Sequence, residues 1–178
     1  MRKEIYLLLI IFILILIYIF IPNDTLEEEK VLEKRAVFIS YIELGNNLRG
    51  KDEKEMKDTI DKMIDEAYNF GFNMLILQVR SFSDAIYPSS IFPSSRSVVN
   101  IEGETLPFDI LKYFIDESHK KDIEVHAWIN PYRVSNTNDT SIISKDNPYY
   151  DMLDDVEIIE SGIYYNPASS KVESLILE

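Results

Sequence analysis

Two apolar segments of the sequence, NMLILQVR (73–80) and EVHAWIN (124–130), end in hydrogen-bonding side chains that alternate with aliphatic ones. The polar members of this alternation are Gln78, Arg80, His126, Trp128 and Asn130. Because successive side chains of a β-strand point to opposite faces, each segment predicts a strand with one polar and one aliphatic face. Planar donors and acceptors beside an aromatic ring suit a polyhydroxylated ligand such as a sugar. We therefore expect these residues to line a sugar-binding cleft.

Each of these residues also has a purely structural explanation when it is taken alone. Trp128 is typical of a hydrophobic core, and Arg80 could pair with a neighbouring carboxylate. The set is harder to place in an apolar core, because each buried donor left unpaired costs about 1–3 kcal/mol. Tyr87 and Tyr132, in the loops that follow the two segments, would add stacking surface for a ligand.

Strands and helices alternate along the sequence around these two segments. The predicted order is strand 35–44, helix 52–70, strand 73–80, a helix after Pro107, strand 124–130 and a helix from Asn166-Pro167. In the first of these helices, apolar residues recur at three- and four-residue spacing, and Gly71 follows as a C-cap. This alternation predicts a parallel α/β sheet.

Loop lengths favour one arrangement of the sheet. The loops after the strands are long, from Ser81 to about Leu106 and from Val134 to about Tyr165, whereas the helix-to-strand connections are short. Long loops at the carboxyl ends of the strands are typical of a (β/α)8 TIM barrel, whose sites lie at that face. Eight βα units take about 250 residues, so three units predict the N-terminal part of a barrel. A smaller open α/β sheet is the alternative.

The first residues of the chain predict a membrane anchor. Residues 5–21 carry no charge, and at 1.5 Å per residue they would form a helix roughly 26 Å long, near the thickness of a bilayer core. Arg2 and Lys3 precede this run and acidic residues follow it, which predicts a domain outside the cytoplasm. The expected organisation is a transmembrane anchor at 1–22, a polar linker at 23–34 and a partial barrel domain at 35–178. The alternative is secretion after cleavage of a signal peptide.

Composition argues against several classes of protein. The formal net charge is −13, and it becomes −14 without residues 1–22, which carry two basic residues and one acidic residue. Such acidity argues against nucleic acid as a partner. The absence of cysteine excludes disulfides and thiolate metal sites, and two histidines cannot form a multi-histidine zinc site. We expect no metal and no cofactor; the expected partners are a glycan and, through the N-terminal helix, the membrane.

Two motifs in the polar segments match a known family. QVRSFSDAIYPSSIFPSSR (78–96) and HAWINPYRV (126–134) closely resemble the glycoside-hydrolase-like family 10 domain. RAVFISYIEL (35–44) is similar to that family's first strand, and YYNPASSKVESLILE (164–178) is similar to the segment that enters its fourth strand. The resemblance runs from Arg35 to the end of this sequence and covers the first part of the family's domain.

The resemblance implies a barrel glycosidase of bacteria, exported or membrane-anchored, that acts on cell-wall or other polysaccharide. The residues at motif positions that line the family's cleft are Gln78, Arg80, Asp84, Tyr87, His126, Trp128, Asn130 and Arg133. Glycosidases generally need two carboxyl groups, and the resemblance implies that most acidic pocket residues lie from the fourth strand onward, beyond Glu178. Asp84 and Glu43 are the carboxylates best placed at strand ends, and the sequence assigns neither as acid or base.

Two functions remain open on the sequence alone. The first is the N-terminal part of an exported glycoside hydrolase, favoured by the loop asymmetry, the polar set and the motifs. The second is a non-catalytic carbohydrate-binding or envelope protein, or an inactive fragment of such a hydrolase, favoured by the missing carboxylates and the incomplete barrel.

Overall fold

The computed structural model describes residues 2–20 and 33–177, and the chain divides into two compact units, 1–33 and 34–178. The N-terminal unit contains one helix, α1 (Arg2–Phe20). Most of the predicted linker at 23–34 lies outside the described residues, which resume at residue 33.

The predicted membrane-spanning helix is not supported. Within the described ranges, no helix has the length and apolar character needed to cross a membrane. Arg2, Lys3 and Glu4 occupy the first turn of α1, so its uncharged part, residues 5–20, extends about 24 Å at 1.5 Å per residue. The hydrocarbon core of a typical bilayer is about 30 Å thick.

A three-stranded sheet forms the centre of the second unit and confirms the predicted parallel arrangement. Its strands are β1 (Ala36–Ile39), β2 (Met74–Arg80) and β3 (Glu124–Ile129), in the order β1-β2-β3. All neighbouring pairs are parallel, and Gln78 lies opposite Trp128. Three parallel strands connected through helices are consistent with the first part of a (β/α)8 barrel.

Three helices accompany this sheet: α2 (Tyr41–Asn47), α3 (Glu53–Asn69) and α4 (Ile110–His119). Helix α3 agrees with the predicted helix 52–70, since Asp52 caps it in a capping box and Gly71 follows it with φ of +80°. The apolar side chains of α3 and α4 pack on the odd-numbered residues of β2. The most completely buried of them are Ile60, Ile64, Leu75, Leu77, Ile110 and Phe114.

The apolar segment 35–44 is not one strand. Strand β1 ends at Ile39, and Ser40 caps helix α2 through a capping box in which Glu43 accepts a hydrogen bond from the Ser40 backbone N–H at 2.9 Å. A serine followed three residues later by glutamate satisfies orphan N–H groups of a helix start. This local bonding outweighs the strand tendency of the apolar run.

A second, antiparallel sheet lies in the segment predicted to be a loop, 134–165. It comprises β4 (Arg133–Ser135), β5 (Val156–Ile159) and β6 (Gly162–Tyr165), with β6 in the middle. Three 3-10 turns separate β4 from β5, at Thr140–Ile142, Pro148–Asp151 and Leu153–Asp155. Strands of three and four residues are too short for an alternating pattern to stand out in the sequence.

The final helix, α5 (Ser170–Leu177), begins later than predicted. The Asn166 side chain accepts a hydrogen bond from the Ala168 N–H at 2.9 Å and so forms a turn before the helix. Ser169 then provides the cap, because its hydroxyl accepts a hydrogen bond from the Val172 N–H at 3.3 Å.

We predict that Gly162→Ala lowers the free energy of unfolding by about 1–3 kcal/mol, measured by urea titration followed by circular dichroism. Gly162 has φ of +142°, and a Cβ at this position would lie 2.3 Å from the backbone oxygen of Ser135, which cannot move aside without disturbing the β4–β6 pairing. The matched control is Gly45→Ala in α2, where the closest atom to a Cβ is the end of the flexible Arg49 side chain at 3.1 Å and the nearest backbone oxygen, of Ser97, is at 4.0 Å. Equal stabilities of the two variants would contradict this account.

Candidate functional site

The candidate site is at the carboxyl end of β2, where Arg80 is buried with 7% of its surface exposed. Its guanidinium carbon lies 3.7 Å from the centre of the Phe92 ring, and its Nε has no hydrogen-bond partner among the described residues. Burial lowers the pKa of Arg80, and the nearby Tyr87 and Asp84 oppose this shift. Arg80 is therefore a buried cation held mainly by stacking, with donor capacity left over.

Asn130 ties the end of β3 to the end of β2. Its backbone N–H donates to the Arg80 carbonyl at 2.9 Å, and its side-chain Nδ2 donates to the Ser81 carbonyl at 3.1 Å. Its Oδ1 accepts a hydrogen bond from Trp128 Nε1 at 3.1 Å. Trp128 in turn meets the Phe38 ring edge to face, with the ring centres 5.8 Å apart. The indole, the amide and the strand ends thus form one connected group.

Gln78 has a structural partner. It is 1% exposed, and its Oε1 accepts a hydrogen bond from the Tyr41 backbone N–H at 2.9 Å. Tyr41 is the first residue of α2, so this contact connects β2 to the start of that helix.

Asp84 lies in the loop after β2 and is 1% exposed. Burial raises the pKa of Asp84, while hydrogen bonds from the Ser95 hydroxyl and the Phe82 N–H and the charge of Arg80 lower it. The Phe82 N–H donates to Asp84 Oδ1 at 3.1 Å. The carboxyl group is thus enclosed among donors.

Asp84 shares a cavity of about 220 Å³ with a second carboxyl group, Glu102. Arg49 and Arg96 line the same cavity, as do the rings of Tyr41 and Phe82 and the backbone segment 134–137. This cavity, hereafter the carboxyl cavity, is the place among the described residues where two acidic side chains and two arginines meet around an open space.

Glu102 is held from one side only. Its Oε1 accepts hydrogen bonds from Asn147 Nδ2 at 2.8 Å and from the Ser144 N–H at 3.1 Å. Burial raises the pKa of Glu102 to about 7 and the charge of Asp84 adds to the rise, whereas the two hydrogen bonds and Arg96 oppose it. A carboxyl group in this condition can hold a proton near neutral pH and release it.

Several of the predicted site residues do not line the carboxyl cavity. Tyr87 lines a neighbouring cleft of about 360 Å³, and Tyr132 lines another of about 510 Å³. The Arg133 guanidinium lies 5.2 Å from the Phe82 ring centre. His126 is exposed on β3 and its Nε2 lies 3.2 Å from Glu124. Glu43 is exposed and occupied in the capping box of α2, so it does not line the carboxyl cavity.

Residues 33–178 match the Glycosyl hydrolase-like 10 family over their whole length. The chain belongs to this family. It is 32% identical to the glycosyl hydrolase YngK of Bacillus subtilis (strain 168) over 149 residues, which are 82% of this chain and 29% of that protein. It is 42% identical to the glycosyl hydrolase DigH of Escherichia coli (strain K12) over 76 residues, 43% of this chain and 17% of that protein. The chain therefore spans less than a third of the length of either relative.

Glu102 is the residue of this Glycosyl hydrolase-like 10 domain that the sequence did not indicate. It lies inside the long loop after β2, in a stretch without helical or strand periodicity. The available signal was the length of that loop, since long loops at strand ends tend to carry function. No group of three or more acidic or histidine side chains in the described parts of the domain is arranged to hold a metal ion.

We predict that the stability of the domain depends on pH through Glu102. The pKa of this group rises from 4.5 to about 7 on folding, so the folded chain binds more protons between these pH values. The free energy of unfolding contributed by Glu102 is therefore fully present below about pH 4.5 and is lost as pH rises through 7. Glu102→Gln removes this dependence. We expect the difference in free energy of unfolding between wild type and Glu102→Gln to change by roughly 1–3 kcal/mol across this pH window.

The measurement is urea unfolding at several pH values, with Glu66→Gln as the matched control because Glu66 is exposed on α3. Parallel pH profiles for wild type and Glu102→Gln would show that the carboxyl group titrates normally.

Proposed function

We propose that this domain hydrolyses O-glycosidic bonds of a cell-wall or other polysaccharide. The observation that carries the proposal is the buried cation Arg80, which stacks on Phe92 with an unpartnered Nε. Arg80 is close enough to lower the pKa of Asp84, which lines the carboxyl cavity at the strand ends. Family membership and the similarity to the glycosyl hydrolases YngK and DigH support the same reaction class.

The chemistry of Arg80 favours a ligand rich in oxygen acceptors. A buried donor without a partner is costly, and a bound ligand that accepts from the guanidinium removes that cost. Sugar hydroxyl, ring and carboxylate oxygens are such acceptors, and the planar guanidinium can contact two of them at once.

The surroundings of Arg80 also suit a sugar. Aromatic rings present flat apolar faces that match the C–H faces of a pyranose. The Asn130 amide, which already bonds to Trp128 Nε1 and to the Ser81 carbonyl, has a second N–H to offer a ligand. The clefts lined by Tyr87 and Tyr132 adjoin the same loops and offer room for further sugar units of a polymer.

We predict that the 178-residue chain releases reducing ends from at least one member of a panel of cell-wall and plant polysaccharides. Arg80→Met should lower kcat/KM at least tenfold, which corresponds to the loss of about 1.4 kcal/mol of binding to the transition state. Lys62→Met, on the exposed side of α3, is the matched control and should be unaffected. Circular dichroism of each variant checks the fold.

A second candidate is a carbohydrate-binding protein without hydrolytic activity, favoured because Arg80, Trp128 and Asn130 are contacts for a ligand whether or not it is cleaved. The chain has a single tryptophan, so its fluorescence reports on Trp128 alone. A saturable change in this fluorescence with a glycan, together with no reducing-end release, would favour binding over hydrolysis. The absence of both signals across the panel would contradict both candidates.

We also propose that the domain acts outside the cytoplasm. The support is the order of charges in the sequence, with Arg2 and Lys3 before the apolar residues 5–21 and the acidic segment 24–29 after them. Alkaline phosphatase fused after Glu178 should be active in Escherichia coli, because this enzyme needs an oxidising compartment, and removing residues 1–22 should abolish the activity. Equal phosphatase activity with and without residues 1–22 would contradict export through this segment.

A further inference from the structure

We propose that Glu102 is the proton donor to the leaving group in the glycosidic cleavage, and that Asp84 in the same cavity is a positioning residue whose charge acts on it. This inference rests on the proposed function and adds a catalytic residue to it. It is built on the carboxyl cavity and on the hydrogen bonds that fix Glu102 within it.

The geometry leaves one oxygen of Glu102 available. Both of its hydrogen bonds fall on Oε1, and Oε2 has no hydrogen-bond partner among the described residues. Asn147, which donates one of these bonds, is itself fixed, because its Nδ2 also donates to the Ser83 carbonyl at 2.8 Å and its Oδ1 accepts from the Tyr149 N–H at 2.9 Å. A carboxyl group anchored through one oxygen can present the other, with its proton, to a substrate.

The exposure of the two acids assigns their roles. Asp84 is 1% exposed and receives hydrogen bonds from its own loop, so a substrate cannot readily reach it. Glu102 is only half-buried and lines the cavity. Of the two acids, Glu102 is the one that can touch a glycosidic oxygen.

Burial, more than the charges around it, favours the protonated form of Glu102. Burial and the negative charge of Asp84 raise its pKa, and Arg96 acts in the opposite direction. The other titratable groups that line the cavity are Arg49 and Tyr41, and Tyr165 lies close enough for Glu102 to raise its pKa in turn. Replacing Asp84 by asparagine removes a negative charge that raises the pKa of Glu102, and therefore lowers the pKa of the remaining acid.

The step balances as an acid-catalysed hydrolysis. Glu102 transfers its Oε2 proton to the glycosidic oxygen while the bond from that oxygen to the anomeric carbon breaks, and the bonding electron pair leaves with the oxygen as a hydroxyl group. Water adds its hydroxyl to the anomeric carbon, and the proton that this water loses restores Glu102 over the full turnover. No oxidant, reductant or further reactant is needed.

The first test compares kcat and kcat/KM of wild type and Glu102→Gln across pH 4 to 9 on the most active polysaccharide of the panel. We expect a loss of about 10²- to 10⁴-fold in kcat for Glu102→Gln. In wild type, activity should fall as pH rises through about 7, because the acid must be protonated to act. Glu66→Gln is the control for a glutamate on an exposed helix surface and should match wild type.

Asp84→Asn tests the positioning role separately. This change should shift the alkaline limb of the pH profile to lower pH, which a residue with a merely structural role would not do. An unchanged alkaline limb in Asp84→Asn would overturn its proposed effect on Glu102.

The second test uses the leaving group. A dinitrophenyl glycoside needs no proton to depart, so Glu102→Gln should lose at least tenfold less activity on it than on the natural polymer. Glu102→Asp keeps a carboxyl group and should retain part of the activity and the alkaline limb, which provides a result even where Glu102→Gln folds poorly. Equal losses on both substrates would overturn the assignment of Glu102 as the acid.

The outcomes separate this inference from the proposed function. Hydrolysis by wild type with full activity in Glu102→Gln overturns the inference and leaves the proposed function standing. No hydrolysis by wild type on any polysaccharide or activated glycoside overturns both.

Discussion

The rest of this domain depends on one constraint. Polar groups buried at the carboxyl ends of β2 and β3 need hydrogen-bond partners. In an interior of low dielectric, an unsatisfied amide or charge is costly, so a polar side chain that the strands carry inward is stabilised by a partner in another element. Arg80 Nε and Ser81 Oγ have no such partner among the described residues. At the strand ends, Asn130 donates hydrogen bonds to the carbonyls of Arg80 and Ser81. Gln78, two residues before Arg80 in β2, has its partner at the start of α2, where the Tyr41 N–H donates to its Oε1.

The second sheet supports the loop that carries the candidate site. Ser83, next to Asp84, forms a 2.8 Å hydrogen bond between its hydroxyl and that of Tyr165 in β6, and Asn147 donates to its carbonyl. The loop after β2 is therefore fixed between the parallel sheet and the antiparallel sheet. This support allows a segment without secondary structure of its own to place two carboxyl groups around one cavity.

The same burial sets the electrostatic character of the site. Arg80 contacts an aromatic ring with no carboxylate hydrogen-bonded to it, and Glu102 is held by neutral donors. Neither group forms a tight ion pair with another described residue, so both keep the capacity to respond to a ligand or a proton. The ion pairs that the described residues do form, such as Lys112 with Asp116, lie on the surface and contribute little to stability.

The sequence by itself determined the elements whose signals are local. Alternation in 73–80 and the apolar spacing and caps of 52–71 are set by neighbours within one or two turns, and they correctly predicted β2, α3 and the parallel sheet. Local hydrogen bonds also explain two errors in the predicted boundaries. The Ser40 capping box ends β1 earlier than predicted, and the Asn166 turn makes α5 begin later than predicted. Only the tertiary structure decided the site. Glu102 reaches the carboxyl cavity because Ser144 and Asn147, 42 and 45 residues away in the chain, bond to it, and contacts over such separations leave no periodic pattern in the sequence.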